Sequence, residues 1–245
     1  MNRGAILIGL AGIMLLVCAA CSSPGRATGA GPEVSPPDEI VDFKALYSQN
    51  CAGCHGSGGR DGAAIALSDP VFLAIADDAT IRRTAAGGVR GTPMPAFAQS
   101  AGGMLTDEQI DALVRGIRSW AKPNAFRQET LPSYAALTAG DPRRGADVYR
   151  AYCSSCHGAD GRGGKDGSIV DGSYLALASD QNLRLNVILG RPSEGSPDWR
   201  NDIPGKALSE QEIADVVAWL VAQRPATPGR PYPSSTIKPA AGGSR

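Results

Sequence analysis

The sequence predicts an all-α fold made of two tandem domains, and three observations lead to this prediction. Sliding the chain by 102 residues (153 minus 51) places "CAGCH" at 51–55 on "CSSCH" at 153–157, so the chain contains an internal repeat. Both copies close with the same helix signal, "LTDEQI" and "LSEQEI", in which Thr106 and Ser209 are N-cap candidates. Apolar residues then recur at helical spacing, and no long stretch alternates with period two.

The beginning of the chain predicts export and attachment to a membrane. A charged start precedes an apolar run of about 13 residues, which is too short to span a bilayer and is typical of a secretory signal over 1–20. Two alanines followed by Cys21 resemble the lipobox of bacterial lipoproteins, in which the cysteine is lipidated, although Cys18 stands where that motif usually has leucine. Ordinary cleavage into the periplasm and an uncleaved anchor are the alternatives. We expect 21–38 to be a flexible tether.

The repeat also sets the domain boundaries. The remaining predicted segments are domains over 39–122 and 139–224, a linker over 123–138 and a disordered tail over 225–245. Both domains open with a helical pattern, and in the second Asp141 is an N-cap candidate with Pro142 in the first turn. Domains of this size bury little surface by themselves, and only 5% of the residues are aromatic, so a large apolar cofactor would complete each core. The zero net charge, without a basic stripe, gives no reason to expect nucleic acid as a partner.

The two five-residue motifs predict covalent haem. Cys-x-x-Cys-His is the attachment sequence of c-type haem: the two cysteines lie on one side of a helical turn, where both can form thioethers, and the histidine is the proximal ligand of the iron. The predicted attachment residues are Cys51, Cys54, His55, Cys153, Cys156 and His157. We therefore expect two haem c groups, one in each copy.

Three other uses of these residues are less consistent with the sequence. A zinc site needs four ligands, and each copy has only two cysteines and one histidine. A redox dithiol is disfavoured by the adjacent histidine and by the lack of a βαβ pattern. A disulfide within a motif would close a loop of only two residues, which stabilises little.

The chain resembles class I c-type cytochromes, in particular tandem two-haem proteins whose domains are similar to the haem-carrying subunit of bacterial cbb-type terminal oxidases. The resemblance rests on "YSQNCAGCHG", "YRAYCSSCHG", "GTPMPAF" and the terminal helices with Trp120 and Trp219. It implies two tandem class I cytochrome c domains, each with one covalently bound haem and with N- and C-terminal helices that cross near the haem edge. It also implies a role in one-electron transfer.

The distal ligand is predicted only in the first copy. Met94 lies 39 residues after His55 (94 minus 55) and between two prolines, which hold its loop rigid. We expect it to bind the iron and to raise the potential, while Met104 is a rival ligand and a packing role is the alternative. In the second copy the equivalent residue is Ser196, and no methionine follows Met104. The second iron would then be five-coordinate or bind water, a lysine such as Lys165 or Lys206, a ligand from a partner, or a small molecule.

Two functions follow from this pattern. The first hypothesis is a membrane-tethered electron carrier on the periplasmic side of a bacterial membrane, with redox proteins as donor and acceptor. A subunit of a respiratory complex is one form that such a carrier takes. The second is an enzyme or sensor that uses an open iron in the second domain. Arg191 and Trp199 are the only residues near the second distal loop that favour catalysis, and a surface charge and a pocket wall are their simpler interpretations.

Overall fold

The computed structural model describes residues 35–122, 125–126, 129–201 and 206–226. Within these ranges the chain is built from helices, turns and loops, and it has no β-strand but only the isolated bridges Ala98 to Leu105 and Arg191 to Ser196. The all-α prediction is confirmed. The predicted signal peptide, Cys21 and most of the predicted tether and tail lie outside the described residues.

The chain divides into two compact units, Met1–Glu39 and Ile40–Arg245. The described part of the first unit is a short stretch that contains a 3-10 helix, Pro37–Glu39. The second unit contains both copies of the repeat. None of the helices in the described ranges combines the length and apolar character needed to cross a bilayer.

Each copy contributes five α-helices in the same order. In the first copy they are α1 (Phe43–Asn50), α2 (Ala52–His55), α3 (Pro70–Ile75), α4 (Asp78–Gly87) and α5 (Asp107–Arg118). In the second copy they are α6 (Pro142–Tyr152), α7 (Ser154–His157), α8 (Gly172–Leu177), α9 (Asp180–Leu189) and α10 (Glu210–Ala222). A short 3-10 helix precedes the last helix of each copy, at Gln99–Ala101 and Pro192–Glu194.

The helix starts follow from local capping chemistry. Thr106 and Ser209 are N-caps, as predicted, and each also forms a capping box with the residue at the third helical position. The Asp141 carboxylate accepts a hydrogen bond from the N–H of Arg143 at 2.8 Å, and Pro142 occupies the first turn, so this predicted start is also confirmed. The first helix begins later than the pattern from Glu39 predicted, because Asp42 is its N-cap.

The first and last helices of each copy pack against each other, α1 on α5 and α6 on α10. The contact between α6 and α10 is close because Gly145 has no side chain: a Cβ there would lie 2.0 Å from the carbonyl oxygen of Asp215. The buried faces are apolar, and Ile110 and Ile213, the matching residues of α5 and α10, are both fully buried.

One hydrophobic cluster contains buried residues of both copies, from Phe72 in the first to Ile188 and Trp199 in the second. Helices α3 and α9 contribute to this contact between the copies. The described part of the predicted linker packs on the second copy, because the buried Arg184 donates to the carbonyl oxygen of Ser133 at 2.8 Å. The two copies therefore form one folded unit.

Candidate functional site

The first motif forms a tight turn at the end of α1. Cys51 ends α1, and the N–H groups of Cys54 and His55 both donate to its carbonyl oxygen, at 3.2 and 3.0 Å. Gly56 then reverses the chain with a φ of 79°, and a Cβ at this position would lie 1.7 Å from the carbonyl oxygen of Arg60. The Tyr47 hydroxyl donates to the Gly56 carbonyl at 3.0 Å, which ties the turn back to α1.

The imidazole of His55 is held in one orientation. Its Nδ1 lies 2.8 Å from the carbonyl oxygen of Ile65, and the residue is only 7% exposed. Because a carbonyl oxygen can only accept, Nδ1 carries the hydrogen and Nε2 keeps its lone pair. Burial lowers the pKa of His55, which favours the neutral imidazole. This is the state in which a histidine binds a metal.

The second motif repeats this arrangement. The Nδ1 atom of His157 lies 3.1 Å from the carbonyl oxygen of Gly167, and the Tyr149 hydroxyl donates to the Gly158 carbonyl. Gly158 reverses the chain with a φ of 82°. His157 is more exposed than His55. The two histidines therefore have the same backbone support and different access to solvent.

None of the four motif cysteines is paired in a disulfide in the described part of the chain. Burial is the main cause that raises the pKa of Cys51 to about 11 and that of Cys153 to about 11, and the nearby Cys54 or Cys156 adds to the effect. The raised pKa favours the protonated form of the Cys51 and Cys153 thiols at neutral pH.

The two motifs fit an iron that is already held by a porphyrin, because each motif supplies few protein ligands. Within the described ranges, no group of three or more His, Cys, Asp or Glu side chains is arranged to hold a metal ion. The loops after the motifs pack directly on them, since a Cβ on Gly62 or Gly164 would lie 2.2 Å from the carbonyl oxygen of Cys54 or Cys156. Two thiols for thioethers and one oriented imidazole in each copy match the donor set of haem c.

Met94 lies on a closed loop after α4. Gly88 ends that helix with a φ of 67°, and the N–H of Val89 donates to the carbonyl oxygen of Met94 at 3.0 Å. The N–H of Met94 donates to the Thr92 hydroxyl at 3.2 Å. Met94 is half-buried, whereas the rival ligand Met104 is 87% exposed. The loop geometry favours Met94 as the distal ligand of the two.

The second copy keeps the loop and changes its side chains. The N–H of Arg191 donates to the carbonyl oxygen of Ser196 at 2.9 Å, so these residues replace Val89 and Met94 in the same backbone hydrogen bond. Trp199, at the position of Phe97, is buried, and the Arg200 guanidinium lies 4.8 Å from its ring centroid. The prediction that Ser196 occupies the methionine position agrees with this geometry.

The two candidate lysines lie in different surroundings. Lys165 is exposed and belongs to the loop that supports the second motif, where the N–H of Asp166 donates to the carbonyl oxygen of Cys156 at 3.2 Å. Lys206 is exposed and accepts, through its carbonyl oxygen, a hydrogen bond from Asn201. Lys165 therefore belongs to the same loop as Gly167, whose carbonyl oxygen meets Nδ1 of His157.

Sequence comparison identifies the family. The family described as cytochrome c oxidase, cbb3-type, subunit III matches this chain twice, over residues 38–115 and 140–220. The chain belongs to this family. Its two tandem cytochrome c domains and its two haem c cofactors are therefore as predicted.

The chain is similar in sequence to proteins of two kinds, a cytochrome c subunit of the bc1 complex and subunits of cbb3-type oxidases. The cytochrome bc1 complex cytochrome c subunit of Mycobacterium bovis is 25% identical over 233 residues, covering 90% of this chain and 79% of the relative. The cbb3-type cytochrome c oxidase subunit CcoP of Cereibacter sphaeroides is 30% identical over 188 residues, covering 72% and 58%. Subunit FixP of Sinorhizobium medicae is 32% identical over 131 residues, covering 50% and 40%.

The sequence did not reveal the role of Arg191. Its guanidinium lies against the first copy and donates to the carbonyl oxygens of Gly62 and Ala63, at 3.2 and 3.0 Å. These two hydrogen bonds show that Arg191 is not simply a solvated surface charge. The only signal in the sequence was the replacement of an apolar loop residue, Val89, by a charged one at the equivalent position of the repeat.

Proposed function

We propose that this cbb3-type subunit III relative carries single electrons between a membrane-bound donor and a terminal acceptor, as a subunit of a respiratory complex. Each haem c, when bound, takes up and releases one electron at its iron. Cys51, Cys54 and His55 would hold the first haem, with Met94 as its distal ligand. Cys153, Cys156 and His157 would hold the second.

The observation that carries this proposal is the duplicated support of the two histidines. Both imidazoles meet a backbone carbonyl through Nδ1, from Ile65 in the first copy and Gly167 in the second, and each leaves Nε2 available for a metal. A backbone partner fixes the ring without adding an acid or base. This arrangement suits reversible electron transfer, in which the ligands should not move.

The relatives support the same role. These relatives are a cytochrome c subunit of a bc1 complex and subunits of cbb3-type oxidases. We therefore propose a redox protein donor and acceptor within or beside a membrane complex. The contact of Arg191 with the carbonyl oxygens of Gly62 and Ala63 adds no support for the catalytic alternative, which rests on an open iron in the second domain.

We also propose the cellular placement that the first residues favour. Residues 1–20 would direct export, Cys21 would be lipidated, and 21–38 would tether the two domains to the periplasmic side of the membrane. The domains would span 39–122 and 139–224.

The ligand assignment is tested with Met94→Leu and with Met104→Leu as the matched control, because the two methionines differ in burial and are changed in the same way. Haem content by pyridine haemochrome and the intact mass of the mature protein should give two haems in each variant. Carbon monoxide should bind one more haem in Met94→Leu than in the control, because the thioether no longer occupies the first iron.

The carrier role is tested on the mature protein by redox titration and by stopped-flow mixing with a reduced quinol-oxidising complex. We expect two one-electron steps and transfer from that complex without net turnover of peroxide or a sulfur oxyanion. One haem or none by mass would contradict the cofactor assignment. Rapid turnover of such a substrate would contradict the carrier assignment and favour the enzyme.

A further inference from the structure

The distal loop of the second copy contacts the first copy. Arg191 reaches across the boundary and donates from its two terminal nitrogens to two successive carbonyl oxygens, those of Gly62 and Ala63. A third contact, from the Ser193 hydroxyl to the Asp61 carboxylate, is longer at 3.4 Å. Glu194 lies 3.3 Å from Arg191 and helps to orient the guanidinium.

The carbonyls that Arg191 binds belong to the loop that supports the first histidine. The next residue, Ala64, donates its N–H to the carbonyl oxygen of Cys54 at 2.9 Å. The residue after that, Ile65, provides the carbonyl oxygen that holds Nδ1 of His55 at 2.8 Å. A contact with Gly62 and Ala63 therefore acts on the backbone directly before the groups that fix the motif.

The surrounding surfaces also meet across this boundary. Helix α3 of the first copy packs against α9 of the second, and a cavity of about 220 Å³ between them is lined by residues of both copies. Asp69, which caps α3, is close enough to Asp198 and Arg200 to interact electrostatically with both. Burial is the main reason that the pKa of Asp69 is raised. Arg191 thus lies at the edge of a wider contact.

The same loop in the first copy has different side chains. Val89 and Met94 occupy the positions of Arg191 and Ser196, and the backbone hydrogen bond that closes the loop is kept in both copies. The second loop has therefore lost the side chain suited to bind iron and gained one that binds another backbone. Both side-chain differences, Arg191 for Val89 and Ser196 for Met94, lie on the same loop, and the backbone hydrogen bond of that loop is the same in the two copies.

We propose that the distal loop of the second copy is a docking element, and that Arg191 is a positioning residue which holds the histidine loop of the first copy against the second domain. Its consequence for electron exchange between the two haems rests on the proposed function, whereas the docking itself does not. A guanidinium suits this position because its planar fork can donate to two carbonyl oxygens at once, which a lysine cannot do with fixed geometry.

The docking is tested by hydrogen–deuterium exchange on the mature protein with both haems attached. Arg191→Ala should raise the exchange rate of the peptide covering 60–66 by about five- to thirtyfold, because two charge-assisted hydrogen bonds are lost. Arg162→Ala is the matched control, since Arg162 is exposed and its ion pair is with Asp160 at 3.4 Å within its own loop. Arg191→Lys should give an intermediate value.

Exchange of 60–66 in Arg191→Ala within twofold of the control would overturn the proposal. If Arg191→Ala does not accumulate, Arg191→Lys keeps the charge and the stem and gives the same measurement. A laser-triggered reductant then tests the consequence: the fast phase of transfer between haems should be lost in Arg191→Ala and kept in Arg162→Ala. The exchange rate of 60–66 could rise as expected while the protein accepts no electrons from any redox protein. That result would refute the carrier role and leave the docking intact.

Discussion

Gly116 of α5 packs directly on the ring of Phe43 of α1, and a Cβ on this glycine would lie 1.9 Å from the ring. The second copy reverses the pair. Gly145 on α6 stands at the position of Phe43 (145 minus 102), and Trp219 on α10 stands at the position of Gly116 (219 minus 103, after the one-residue shift). Each crossing thus pairs one glycine with one aromatic residue, on opposite helices.

Because the two helices are in close contact at Gly116, adding a side chain at this position should destabilise the protein. Gly116→Ala should lower the free energy of unfolding by about 1–3 kcal/mol, because the added methyl overlaps the Phe43 ring. Gly87→Ala is the control, since its Cβ would meet nothing within 4 Å. Denaturant unfolding of the two variants measures the difference. In the Phe43→Ala background, Gly116→Ala should cost less than it does in the unmodified protein. Equal effects of both glycine substitutions would show that the crossing is not tightly packed.

Changing Met94 should alter the potential of only one haem. In Met94→Leu we expect the higher of two potentials to fall by on the order of 0.1 V, because a soft neutral sulfur favours reduced iron. The exposed Met104 provides the comparison, and Met104→Leu should leave both potentials unchanged. A spectroelectrochemical titration of the mature protein resolves the two steps. An unchanged upper potential in Met94→Leu would remove Met94 from the ligand set.

Arg118 should stabilise the first domain by joining the end of α5 to the turn between α3 and α4. It donates to the carbonyl oxygens of Leu73 and Ala76, at 2.5 and 2.6 Å, and to the Asp78 carboxylate at 2.6 Å. We expect Arg118→Ala to lower the free energy of unfolding by about 1.5–3 kcal/mol. The exposed Arg115, on the same helix, is the matched control for thermal unfolding.

Arg224 makes the equivalent contacts in the second copy, with Leu175, Ala178 and Asp180. A loss in Arg118→Ala without a comparable loss in Arg224→Ala would show that the two domains do not share this support. The comparison therefore tests the repeat in energetic terms.

Asp215 should make the stability of the second domain depend on acid pH. Hydrogen bonding to Arg144, at 2.7 Å, is the main cause that lowers the pKa of Asp215 to about 2. In the unfolded chain this carboxyl has a pKa of about 4. Since the folded value is the lower one, the stabilisation is complete above about pH 4 and is lost as the pH falls towards 2.

The corresponding variant is Asp215→Asn, with Asp147→Asn at an exposed ion pair as control. We expect the first to lose about 1–2 kcal/mol at pH 7 and almost nothing at pH 2, allowing for the exposed side chain of Arg144. Urea unfolding at several pH values measures this. A loss that stays constant with pH would assign the effect to packing.

The elements that sequence predicted well depend on local chemistry. The caps at Thr106, Ser209 and Asp141 are set by residues within one helical turn, and all three are present. The two motifs are five residues long, and their turns form through hydrogen bonds to neighbouring backbone groups. Such signals need no knowledge of the rest of the fold.

The two tryptophans show where sequence similarity is incomplete. Trp120 and Trp219 both end a copy and both lie against the tyrosine of α1 or α6, but Trp219 aligns with Gly116 and not with Trp120. Trp120 meets Tyr47 edge-on at 5.1 Å, while Trp219 stacks on Tyr149 at 4.2 Å. In the two copies, tryptophans at different helix positions fill equivalent space beside the tyrosine. Packing depends on side-chain volume rather than on the position of the residue in the repeat.

The sequence by itself determined that the chain repeats, that each copy carries the attachment motif, and that the second copy has Ser196 in place of Met94. Tertiary structure decided what the loop that lacks the methionine contacts. Arg191 meets carbonyl groups 129 and 128 residues earlier in the chain, and no local pattern encodes a contact of that length. Its partners are backbone oxygens, which every residue possesses, so only the folded arrangement of the two domains identifies them.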